Sequence, residues 1–266
     1  MISVEKAGSI FMRLTVFLLF LTLLASCAPR VIFVPPPMPA DIEKSLLAQL
    51  QDSGGNFQSL RGLAKVHIST QDRSIRVNQV VLLERPSNLR TEVMGPFGQT
   101  YMILVSNKDR LSVYLPHSGE FYEGKPTSEN LGKFIRLPFE VEDLVNLFLY
   151  QVPLMNFLHT EVSYTSEGNY RLILYGENQY RQVAVFSSDL RLLSSAYFRG
   201  AEKLLSVVYS DFASGSPAFP HKIGFEIPAG QIQSQVTFSE VDVNIPMAHE
   251  RFDMTAPAGV TIKPLP

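Results

Sequence analysis

The spacing of apolar and polar residues changes several times along the chain, and each change marks a different element. Residues 11–24 read FMRLTVFLLFLTLL, a nearly unbroken apolar run preceded by Lys6 and carrying Arg13. The run is too short for a comfortable membrane span and has the length and flanks of a secretory signal core. Residues 28–39 then hold Pro29, Pro35, Pro36, Pro37 and Pro39. Such a stretch favours extended polyproline II and serves as a semi-rigid spacer. Asp41 opens an amphipathic segment with Ile42, Leu46, Leu47 and Leu50 on helical spacing, closed by Gly54-Gly55. From Ser59 the period drops to two, and residues 63–68, 75–83, 89–93, 100–105 and 111–115 read as strands separated by turn-forming clusters. Between 127 and 150 the helical period returns. Leu131, Phe134 and Ile135 form one stripe; Val141, Leu144, Val145 and Phe148 form another, with Pro138 between the two segments. Strands resume at 161–165, 170–175, 182–187, 192–198, 204–209, 222–227 and 231–243. This order predicts a mainly β, α+β fold. It is an open antiparallel half-barrel with one helix before the first strand and a helical insertion near 127–150.

Composition narrows the function. The 266 residues are 45% hydrophobic and 18% charged, which excludes global disorder. The net charge of -2 offers no basic surplus for a phosphate backbone, so no nucleic-acid partner is expected. The single cysteine, Cys27, rules out an intramolecular disulfide and a cysteine-based zinc site. It follows Leu24-Ala25-Ser26, and Leu24 to Cys27 resembles the bacterial lipobox. That assigns residues 1–26 to a lipoprotein signal peptide, Cys27 to the acylated (palmitate-bearing) mature N-terminus and 27–39 to a Pro-rich tether. Residues 40–266 are left as the domain. The residue after Cys27 is Ala28 rather than Asp, which under the retention rule of many bacteria implies sorting to the outer membrane.

No catalytic constellation stands out. His67, His117, His159, His221 and His249 are scattered without metal-ligand or triad spacing, and there is no nucleophile elbow or phosphate-binding loop. Glu140, Glu142 and Asp143 sit in the first turn of a helix, where the dipole favours acids without any catalytic role. The chain reads as a non-enzyme without metal or cofactor. The unusual apolar feature is the turn Gly95-Pro96-Phe97-Gly98, flanked by Met94 and by Tyr101-Met102. A bulky ring at a turn either folds back as a plug on the end of the barrel or projects outward.

Several blocks carry a resemblance: Leu60-Arg61-Gly62-Leu63-Ala64, then Asn88 to Thr100 with its Pro-Phe-Gly core, then Glu120-Phe121-Tyr122-Glu123-Gly124. In order and spacing they resemble the LolA/LolB superfamily, closest to the outer-membrane lipoprotein receptor LolB and its uncharacterised lipoprotein relatives. The likeness runs from about Phe57 to the C-terminus, where residues 252–260 resemble the ends of the broader superfamily. It implies an unclosed barrel of about eleven strands, with the helix at 142–149 in the place of a lid. Family members often have Leu-x-Gly-x-Pro after that helix, whereas this chain has Leu149-Tyr150-Gln151-Val152-Pro153. The resemblance also implies acyl-chain binding on the concave face. Val80, Leu82, Met102, Leu104, Val113, Leu144 and Phe148 are its candidate lining, with strand facing open to a one-residue slip. Phe97, with Pro96 and Gly98, becomes a protruding membrane-insertion loop. The implied protein is lipid-anchored in the outer membrane, faces the periplasm and receives lipoproteins or lipids from a periplasmic LolA-like carrier. The competing expectation is a structural or assembly lipoprotein of the cell envelope that keeps the fold without transfer.

Overall fold

Helix α1 (Ile42–Asp52) forms where apolar residues recur every three or four positions, and it buries Ile42, Leu46 and Leu50. Six strands follow: β1 (Ser59–Ser69), β2 (Ser74–Glu84), β3 (Asn88–Met94), β4 (Thr100–Ser106), β5 (Leu111–Leu115) and β6 (Glu120–Gly124). Two helices interrupt them, α2 (Ser128–Ile135) and α3 (Val141–Phe148). Strands then resume as β7 (His159–Tyr164), β8 (Tyr170–Tyr175), β9 (Tyr180–Phe186), β10 (Leu192–Arg199), β11 (Glu202–Phe212), β12 (Pro220–Ile227), β13 (Ile232–Val243) and β14 (Ile262–Pro264). The computed structural model describes residues 35–95, 97–135, 137, 139–214 and 218–266.

Among the described residues, all fourteen strands join one sheet in the order β14-β6-β5-β4-β3-β2-β1-β13-β12-β11-β10-β9-β8-β7. The helical insertion splits the chain into two meanders, which meet where β1 pairs antiparallel with β13. β14 and β7 are the two edges, so the sheet is open. Register shifts at Leu63/Ala64, Val93/Met94, Leu192/Ser194 and Tyr197/Phe198 add local bends and twist that help a wide sheet curl. Among the described residues, fourteen strands exceed both the eleven that the resemblance implies and the twelve runs read from the alternation, to which β6 and β14 are added. β6 is short, and β14 contains a proline and pairs in parallel with β6, so neither shows a clear alternation.

The main core lies between the inner face of this sheet and the helices. Leu46 and Leu50 of α1 and Leu144, Val145, Leu147 and Phe148 of α3 pack there with Leu60, Val81, Leu104, Leu172, Val207 and Phe225 from the strands. A smaller core lies on the outer face, where Leu82, Val105 and Phe252 are buried together with Val80, Ile103, Met247 and Met254 around them. The segment 245–254 is fastened over it. Asn107 donates from Nδ2 to the Phe252 carbonyl at 3.3 Å, and Arg90 donates from Nη1 to the Arg251 carbonyl at 3.3 Å. The described core falls within Pro37–Pro266, one compact unit.

Candidate functional site: an apolar mouth at one end of the half-barrel

Residues paired across antiparallel strands share a face, so the register sorts the inner side chains into rows. The row nearest the turn between β2 and β3 is Leu60, Leu83, Leu89, Ser106, Leu111 and Gly124. The next is Gly62, Val81, Thr91, Leu104, Val113 and Tyr122. Apart from Gly124 and Tyr122 on β6, both rows are buried. The third row, Phe238, Ala64, Gln79, Val93 and Met102, is mixed: Phe238 and Ala64 are buried and the other three half-buried. Beyond it, Val66 still lies in the core, its partner Val77 is half-buried, and Ile75 opposite Ile68 is 41% exposed. The inner face therefore grades from a closed base to an open apolar mouth.

The base is closed by specific bonds. Arg85 donates from Nε to the Phe57 carbonyl at 2.9 Å, from Nη2 to the Gly54 carbonyl at 3.3 Å and from Nη1 to the Asn146 side-chain oxygen. It thus ties the end of β2 to the α1–β1 connection and to α3. Burial lowers the pKa of its guanidinium, partly opposed by Glu142. Helix α3 ends in a Schellman motif: the N–H of Gln151 reaches the Asn146 carbonyl at 2.9 Å and the N–H of Tyr150 reaches that of Leu147 at 3.3 Å. The left-handed position is Tyr150 itself, with φ of 65°. Glycine usually sits there, because a Cβ costs about 1–2 kcal/mol in that conformation. Packing offsets the cost here. The Tyr150 ring lies edge-on to Tyr209 at 4.9 Å and to Phe212 at 5.7 Å, and its hydroxyl donates to the Leu192 carbonyl at 2.8 Å. Tyr209 donates to the Leu147 carbonyl at 2.9 Å. Burial raises the pKa of both hydroxyls, so they stay protonated donors at neutral pH. The expected lid helix α3 is thus firmly held at its C-terminal end. Helix α2 buries Asn130 and Leu131 but leaves Phe134 and Ile135 half-buried, with the Phe134 ring 5.5 Å from Tyr122.

The sequence-predicted lining separates into three groups. Leu104, Val113, Leu144 and Phe148 are buried in the main core beneath the mouth. Met102 is half-buried on the inner face at the mouth. Val80 and Leu82 are corrected to the outer face, beside Phe252 and Met254. The run Val80-Val81-Leu82-Leu83 is apolar on both sides because the 245–254 segment covers the outer one, so alternation could not assign its facing. The mouth residues Ile68, Ile75, Val77 and Val93 were missed; their alternate spacing in β1, β2 and β3 was visible, but not which ends remain uncovered.

Beyond Val93 and Met102 lies the turn that joins β3 to β4. Gly98 donates its N–H to the Gly95 carbonyl at 3.0 Å, and Gly95 donates to the Gln99 carbonyl at 2.8 Å. Gly98 has φ of 80°, a conformation that glycine adopts without strain. A Cβ on Gly95 would meet the Tyr101 ring at 2.4 Å, so only glycine lets that ring lie against the turn. Phe97 is 94% exposed and so is not a plug. Pro96 and Cys27 lie outside the described residues. Among the described residues no helix is long and apolar enough to cross a membrane, and no group of three or more His, Cys, Asp or Glu is placed to hold a metal.

No family model and no curated protein matches the sequence. Solved structures do match the fold. A DUF1329 family protein from Desulfovibrio piger aligns with a TM-score of 0.55 and 16% identity, covering 81% of this chain and 97% of that one. A putative outer membrane lipoprotein-sorting protein domain from Vibrio parahaemolyticus aligns at 0.51 and 13%, covering 81% and 97%. A LolA superfamily protein from Nitrosomonas europaea aligns at 0.51 and 12%, covering 80% and 97%. At such identities the likeness is one of fold: this chain shares the fold of these three structures, one of which is a LolA superfamily protein.

Proposed function

We propose that this chain is a lipid-anchored envelope protein that takes acyl chains into the mouth of its half-barrel and delivers them, or the lipoproteins that carry them, to the outer membrane. The observation that carries this reading is the open apolar mouth with Phe97 at its rim. An acyl chain crossing water gains about 0.8 kcal/mol for each CH₂ it buries, and half-buried Val77, Val93 and Met102 offer such a surface. Phe97 enters the bilayer, where burying its ring is worth about 1.5–3 kcal/mol, enough to orient a tethered domain. Anchoring is through acylated Cys27 and the Pro-rich tether, on the periplasmic side, with cargo handed over by a LolA-like carrier as in LolB. Helix α2, the less anchored of the two inserted helices, moves to admit the chain. The process requires no covalent step and no cofactor.

A second reading, a scaffold or assembly lipoprotein without transfer, is favoured by one observation: the two base rows are filled by the protein's own side chains. Mass spectrometry of lipids that co-purify with residues 37–266 separates the two. The carrier reading expects acyl lipids at near-equal molar ratio to protein, reduced when Val77 is changed to Asp. A folded domain that carries no lipid supports the scaffold.

A further inference from the structure

The outer face beside the Phe97 turn has a different chemistry from the mouth. One cross-strand row there runs Lys222, Thr237, Lys65, Asn78 and Met94. The neighbouring row runs Gly224, Gln235, His67 and Arg76. Neither row contains an acid. This part of the sheet borders an open hollow of about 780 Å³, lined by Lys65, His67, Arg76 and Asn78 and, from the inner rows, by Val77 and Val93 among others, again without a carboxylate. The C-terminal segment that buries the outer face at Leu82 and Val105 stops short of it. Lys65 and Arg76 are exposed, and among the described residues neither they nor Lys222 forms an ion pair. His67 is hydrogen-bonded to Ser74 Oγ at 2.8 Å.

Unpaired cations beside a projecting aromatic match a bilayer surface, where a ring sits at headgroup depth and basic groups meet phosphates just above it. Met94, in the same row as Lys65, leads directly into the turn that carries Phe97. When that turn enters a membrane, these two rows are brought close to the headgroups. We propose that this outer face, centred on Lys65 and Arg76, is a second membrane contact that selects anionic phospholipid headgroups and sets the angle at which the mouth meets the bilayer. The proposal rests on the reading of Phe97 as a membrane contact and adds lipid selectivity to it. A Lys or Arg held at an anionic surface contributes about five-fold in affinity, so the pair contributes about 25-fold.

The test is co-sedimentation of residues 37–266 with vesicles of phosphatidylcholine alone and of phosphatidylcholine mixed with phosphatidylglycerol. Tighter binding to the mixed vesicles is expected, with the preference erased by high salt. The Lys65→Gln/Arg76→Gln double variant should lose about 25-fold on mixed vesicles, keep its binding to phosphatidylcholine and melt like the parent. Phe97→Glu should weaken binding to both. Equal binding of the parent to both vesicles, or an undiminished preference in the double variant, overturns the proposal. If Phe97→Glu binds as the parent does while the charge preference persists, the membrane role of Phe97 falls and the anionic site stands.

Discussion

The two ends of the half-barrel are built from the same strands and have opposite characters. At the base, Leu83, Leu104 and Leu111 are fully buried, Arg85 bonds three acceptors in the α1–β1 connection and α3, and Tyr150 holds a left-handed turn against a cluster of rings. At the mouth, Ile75 is 41% exposed, Val77, Val93 and Met102 are half-buried, and Phe97 stands in solvent. Along β4 the change takes one inward step, from Leu104 to Met102. The base supplies stability; the mouth leaves apolar surface unsatisfied and available to a ligand. Acting surfaces come from the less stable parts of a fold, because surface already buried in the native state has nothing further to gain.

The sharpest way to break this comparison uses that one step. Leu104→Ala should cost about 3–4 kcal/mol in chemical denaturation, because it opens a cavity in a closed core. Met102→Ala, the next inward position, should cost about 1 kcal/mol, since part of its side chain is already in water. Equal losses would show that the mouth is as closed as the base. Arg85→Ala comes next, at about 2–3 kcal/mol by the same assay, because three acceptors lose a bonded donor at once. Asp143, in the first turn of α3, should show a smaller effect of opposite sign. Burial, then Glu142 and Glu140, hold its carboxyl above the usual range. The folded chain therefore binds that proton at higher pH than the unfolded chain, and ionised Asp143 detracts from stability above that point. Asp143→Asn should gain stability near neutral pH, with the gain shrinking as pH falls through the raised pKa. The smallest change in stability is expected for Phe97→Glu, within about 0.5 kcal/mol of the parent in a melt, while delivery to membranes is lost.

Much of this architecture was legible in the amino-acid sequence, because period is local. The shift from period two to 3.6 and back placed α1, α2 and α3 within a residue or two of their observed ends, and the alternating runs located most strands. What could not be read depends on register. Val80 to Leu83 is apolar on both faces, so its facing awaited the discovery that Phe252 covers one of them. Lys222 is far in the chain from Lys65 and Arg76, and only the β12–β13–β1–β2 pairing sets it beside that hairpin. Phe97 could be singled out at once, but whether it plugged or projected rested on a turn whose hydrogen bonds run through Gly95 and Gly98.

The central claim is that the mouth of residues 37–266 binds acyl chains. An apolar fluorescent probe titrated into the folded domain tests it most directly. The account predicts saturable binding, displacement by phospholipid, and loss of both in Val77→Asp with the melting transition retained. A folded domain that leaves the probe dark, or binds it equally well after Val77→Asp, contradicts the account.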